Sequence, residues 1–148
     1  MRPLRLALLL SVAVLGTVGC SKLRDAALKQ KTANDLKKLC DLYGAFYSAR
    51  SLGPESVEDL QPLATGDAEA RAVLDAVRQG RYVLLWNVDV HAAGRTRPGM
   101  AFTVLGYERG VPESGGMVLM VDGSVEEMKP AKFAASQKGN ALANNGPG

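Results

Sequence analysis

Two cysteines, one histidine and a scatter of carboxylates are the side chains through which this chain could do chemistry. His91 stands two residues after Asp89, so one loop offers either two metal ligands or an acid–base pair. Zinc sites ordinarily draw three or four protein ligands, and one histidine with one spare cysteine supplies few. The pair reads as a solvated loop between strands. Hydrolysis by a serine–histidine pair needs a strained elbow under the nucleophile, and no serine here lies in Gly-x-Ser-x-Gly. Glu113, Asp122, Glu126 and Glu127 crowd together late in the chain. Glycoside hydrolysis would need two carboxylates about 5–10 Å apart in a cleft with sugar-stacking aromatics. Trp86 fits the middle of a buried strand instead, and the acidic residues suit a solvated sheet edge that resists strand addition. Asp122-Gly123-Ser124 lacks the spaced oxygens of a calcium loop. No glycine-rich phosphate loop is present. The sequence therefore predicts no catalytic set, no metal and no cofactor.

Cys20 has a sharper context. Arg2 and Arg5 precede an apolar run from Leu6 to Leu15, small residues follow, and the run ends on the cysteine. A basic start, a short apolar stretch and a small-residue site make an export signal. The run is shorter than the roughly 20 residues of a spanning helix. Val18-Gly19-Cys20 resembles the bacterial lipobox, with Thr17 where leucine is usual. The resemblance implies cleavage between Gly19 and Cys20 and a diacylglycerol on the cysteine sulfur. Ser21 in the next position resembles the pattern for outer-membrane sorting.

Arg2 and Arg5 leave with the signal, which brings the 18 basic and 15 acidic side chains close to balance. A near-neutral domain without a basic run is a poor nucleic-acid binder, since phosphate contacts dominate that affinity. With Cys20 lipidated, only Cys40 remains, so no internal disulfide framework is available. Cys40 lies on an apolar helical stripe and reads as a small buried hydrophobe.

The elements that would carry these residues follow from periodicity. Residues 20–32 are charged and sparse in large apolar groups, and read as a lipidated tether or frayed helix start. From Ala33, apolar residues recur at spacings of three and four through Leu36, Leu39, Cys40, Tyr43, Phe46 and Tyr47, predicting a helix to about Ser48. Ser51-Leu52-Gly53-Pro54 ends it. Ser56 and Asp59 have capping-box spacing before a short helix that Pro62 stops. A third helix is expected over 67–79, with Gly80 as its cap. The period then changes: strands are predicted at 81–88, 101–109, 117–121 and 124–128, with Phe102, Val104 and Gly106 sharing a face. Asp122-Gly123 predicts a hairpin turn with both residues at positive φ. Pro130 opens a short helix, and 137–148 reads as a disordered tail. The expectation is an α+β fold: a signal at 1–19, a tether at 20–32, and one domain at 33–136. In it a long amphipathic helix and short helices pack on a four-stranded antiparallel sheet.

Two pairs of segments carry a wider resemblance. One joins residues 54–60 to 80–86, and the other joins 103–108 to 116–125. Together they resemble small uncharacterised lipoproteins of planctomycete-type bacteria, over about residues 33–135. The ending Asp122-Gly123-x-Val125 is also similar to pilin-like secreted proteins bearing His, nine residues, then Asp-Gly; Pro112 stands where that histidine would be. The chain also has a lipobox in place of a prepilin peptidase site and a long apolar pilin helix. The resemblance implies a pilin-like helix-on-sheet architecture and brings no activity with it. The expected role is a structural or protein-interaction module in the cell envelope. It would be anchored through Cys20 to the cell membrane or outer membrane, with the domain facing the periplasm or exterior and an envelope protein as partner. Two alternatives stand beside it: a periplasmic ligand-binding or enzymatic domain using the Asp89/His91 loop, and a pseudopilin-like secretion component.

Overall fold

The structure is a computed structural model that describes residues 18–91 and 103–138. Helix α1 spans Val18–Arg50. It begins well before the predicted start at Ala33, so the stretch expected as a tether is helical. The reason is local: Lys22 to Lys31 contains no Gly, Pro or β-branched residue, and Lys, Leu, Arg, Ala and Gln are all good helix formers. Side-chain pairs one turn apart reinforce it, with Gln30 Nε2 donating to Asn34 Oδ1 at 3.0 Å and Lys31 Nζ to Asp35 Oδ2 at 2.7 Å. Burial begins later. Leu36, Leu39, Leu42, Tyr43, Phe46 and Tyr47 are buried, at the spacing that places them on one helix face. Ser51 ends α1 in the left-handed region (φ 58), donating its N–H to Tyr47 O at 2.7 Å.

Two small helical pieces pack across this face. Val57–Leu60 (α2) runs into a 3₁₀ turn at Gln61–Ala64. Asp59 Oδ2 accepts the N–H groups of Glu55 at 2.8 Å and Ser56 at 3.2 Å, holding the entry. Ala68–Arg78 forms α3, whose N-cap Asp67 accepts from Ala70 N–H. At its far end Gly80 (φ 71) donates to Val77 O and Arg81 to Ala76 O, each at 2.9 Å. These are the paired reverse bonds of a Schellman cap.

The sheet contains β1 (Tyr82–Leu84), β2 (Thr103–Glu108), β3 (Gly116–Met120) and β4 (Val125–Met128) in sequential antiparallel order. The four-stranded antiparallel sheet is as expected. A two-residue strand, β5 (Gln137–Lys138), is added in parallel beside Thr103 and Val104. Those two residues fall within the stretch expected as a disordered tail; residues 139–148 lie outside the described residues, as do Ala101 and Phe102 of the expected second strand. β1 is also shorter than predicted. Leu85 N–H still donates to Leu105 O at 2.8 Å, and then the chain turns away: Asn87 takes φ 56 and donates to Pro54 O at 2.9 Å. Trp86 is thus half-buried beyond the strand and not in its middle. An apolar run marks burial, and here a bend buries it as well as a strand would.

Short helices Val111–Ser114 (α4) and Pro130–Ala135 (α5) lie on the other side of the sheet. Leu105, Leu119 and Val121 join the main core with α1, α2 and α3. The alternate residues Val104, Val118 and Met120 pack with Val111, Met128 and Phe133. Side chains alternate across a strand, so the unbroken apolar run Val118–Val121 reports a sheet covered on both faces.

The hairpin between β3 and β4 turns at Asp122-Gly123 with a different geometry from that predicted. Gly123 alone has positive φ (84), and its N–H donates to Met120 O at 3.0 Å. Met120 N–H donates across to Ser124 O at 2.9 Å. A type I turn followed by a left-handed glycine bulge accounts for this pattern. Asp122 stays out of the left-handed region because its Oδ1 accepts from Ser124 N–H at 2.9 Å and Ser124 Oγ at 2.6 Å.

Candidate functional site

The residues singled out by chemistry fall at three separate places. Gly19 and Cys20 lie in the first turn of α1, so the backbone carrying the predicted lipid is continuous with the helix that enters the core. Residues 1–17, which hold most of the predicted signal, lie outside the described residues. No helix among the described residues is long and apolar enough to cross a membrane.

Cys40 and the Asp122-Gly123 turn meet midway along α1. A side chain at Gly123 would contact Cys40 Sγ at 3.5 Å. Cys40 is half-buried and forms no disulfide among the described residues. Burial pushes its thiol pKa up, with Asp41 and Asp122 adding to the effect, so it is held as a poor nucleophile.

Asp89 and His91 lie at the C-terminal end of α1. Asp89 Oδ1 accepts from Tyr47 Oη at 2.8 Å and from His91 N–H at 2.9 Å. The His91 ring meets Tyr47 edge-on, centroids 5.2 Å apart. Beside them lies a cleft of about 350 Å³ lined in part by Phe46, Tyr47, Arg50, Glu55, Asn87 and Asp89. The Arg50 guanidinium stacks 4.9 Å over the Phe46 ring. His91 is absent from the lining, so the predicted pair is split: the carboxylate faces the cleft and the imidazole packs beside it. Ser51 and Asn87, the two non-glycine residues at positive φ among those described, both line this cleft. Sequence reasoning missed it. Only Asn87 carried a signal, because asparagine tolerates positive φ better than most residues.

The four late carboxylates do not form a catalytic pair. Glu126 binds Lys132 at 2.6 Å and Glu127 binds Lys29 at 2.8 Å. Asp122 is occupied by its own turn, and Glu113 is exposed on α4. Among the described residues, no three His, Cys, Asp or Glu side chains converge to hold a metal ion.

Two tyrosines fix the approach of the β1 region to α1. The Tyr43 hydroxyl accepts from Val88 N–H at 2.8 Å and donates to Val88 O at 3.4 Å. Burial pushes its pKa up to about 12. Gly53 lies so close that a Cβ there would be 2.7 Å from Tyr43 Oη and 2.8 Å from the Val88 backbone. Tyr82 donates to Asp35 Oδ2 at 2.8 Å, and burial followed by that bond raises it to about 12.

These features define a small α+β domain with one cleft at the C-terminal end of α1 and another, of about 780 Å³, between the N-terminal half of α1 and Glu108, Gly115 and Glu127. Compared with known protein families, curated proteins and solved structures, the chain matches none.

Proposed function

We propose that this is a lipid-anchored protein of the bacterial cell envelope whose domain acts as a structural or protein-interaction module, without catalysis. The observation that supports it most is the order of residues 2–20: basic, apolar, small, cysteine. The continuity of α1 adds to it, because a lipid on Cys20 would be coupled to the core through an unbroken helix. Diacylglycerol with an amide-linked chain on the new N-terminus gives the multiple-chain attachment that makes anchoring stable. In a bacterial host fed labelled palmitate, the protein should take up label, and Cys20→Ser should abolish it and leave unprocessed precursor. Persistent label in Cys20→Ser would overturn the reading.

A second reading, a periplasmic ligand-binding domain, is favoured by the cleft beside Asp89. On it, Asp89→Asn would abolish saturable binding of a small ligand while leaving the fold intact. Equal binding by the two proteins would count against it.

A further inference from the structure

Basic side chains gather in the N-terminal part of α1. Between Val18 and Lys38 six basic side chains (Lys22, Arg24, Lys29, Lys31, Lys37 and Lys38) stand against Asp25 and Asp35. Between Leu39 and His91 the balance inverts, with eight acidic side chains against four basic ones. The basic end is the exposed end: every side chain from Lys22 to Lys31 is exposed, including Leu23 at 74% and Leu28 at 56%. Asp35, by contrast, is largely covered, with 13% of its side chain exposed, and it pairs with Lys31 and Tyr82. At 1.5 Å per residue α1 is about 50 Å long. The two sets meet where Lys38 pairs with Asp67 at 3.2 Å; Lys29 pairs with Glu127 at 2.8 Å and Lys31 with Asp35 at 2.7 Å, so the basic character is concentrated at Lys22 and Arg24, at the far N-terminal end of the helix.

We infer that the N-terminal turns of α1 are a contact surface for an anionic bilayer, with Lys22 and Arg24 at the headgroups and Leu23 at the interface. The inference rests on the lipid-anchor reading for its placement, because a lipid on Cys20 holds Lys22 and Arg24 within about 6 Å of it along the axis. Charge complementarity supplies the rest. Each basic side chain near an anionic leaflet is worth roughly fivefold in binding. Anchor and charge together orient the protein, basic end down and the cleft at Asp89 outward.

The test uses the full chain purified from membranes and reconstituted into vesicles of phosphatidylcholine alone or phosphatidylcholine mixed with phosphatidylglycerol. Lysine acetylation is read residue by residue by mass spectrometry. Labelling of Lys22 should fall about fivefold or more in the mixed vesicles relative to Lys37 and Lys132, and recover at high salt. Arg24→Glu, an exposed position where folding is not at stake, should restore much of the labelling of Lys22. Equal labelling of Lys22 in the two vesicle types, or a change shared by Lys37 and Lys132, would overturn the inference. The mass of the N-terminal peptide in the same sample reads the anchor separately. Protection without an acyl mass would sink the anchor and leave the contact surface standing, whereas an acyl mass without protection would do the reverse.

Discussion

From Lys22 to Lys31 every side chain of α1 is exposed, whereas Leu36, Leu39, Leu42, Tyr43, Phe46 and Tyr47 further along the same helix are buried. The second stretch is held by packing, which is where most helical stability in proteins comes from. The first is held by propensity, by pairs one turn apart and by one long-range ion pair, Lys29 to Glu127 at 2.8 Å. A single continuous helix thus has one segment that could change freely without unfolding the domain and one that could not. A segment free of packing duties can keep its surface charge for a partner.

The comparison is broken most forcefully at Tyr43. Tyr43→Ala should cost about 3–5 kcal/mol, as large-to-small changes at fully buried aromatic positions do, while Leu28→Ala should stay within about 0.5 kcal/mol. Urea midpoints of the two variants measure the contrast. A similar loss at both positions would mean that the exposed stretch is part of the core.

Next come two changes at the junction of α1 with the Val88 segment. Tyr43→Phe leaves the buried Val88 N–H without its acceptor and should cost about 1–3 kcal/mol. Gly53→Ala drives a methyl into Tyr43 Oη and the Val88 backbone and should cost a similar 1–3 kcal/mol. Chemical denaturation reads both, and the double variant should lose less than the sum because the two sites touch.

Alkaline pH gives a smaller effect. Tyr43 and Tyr82 are raised to about 12 in the fold, from an ordinary value near 10. Below about pH 10 both states are protonated and these groups give stability no pH dependence. Between about 10 and 12 the unfolded chain releases protons that the folded chain retains, so stability falls as pH rises. Tyr43→Phe should flatten that fall, measured as the urea midpoint against pH. Smallest of all is Lys29→Ala, which should leave the midpoint unchanged because an exposed ion pair contributes little.

Legibility in the sequence followed burial. The helix at 33–48 was visible because a buried face imposes a period of three and four on residue types. The helical state of 22–31 left no such trace, having no buried face. The sheet was legible as four apolar runs, yet its second covered face lay in plain sight in Val118-Leu119-Met120-Val121, where alternation is absent. Trp86 was misplaced because strand and buried bend share one composition. The Asp122-Gly123 turn was found by residue type, while its geometry depended on the Asp122 carboxylate capping Ser124. The cleft unites residues 46–59 with 87–89, and no local pattern announces a contact between segments so far apart in the chain.

Both the account of α1 and the direction in which the domain faces depend on what Cys20 carries. Intact mass and sequencing of the mature N-terminal peptide test this most directly. The expected result is a peptide beginning at Cys20 with diacylglycerol on its sulfur. A mature chain that begins elsewhere, or an unmodified Cys20, would contradict it.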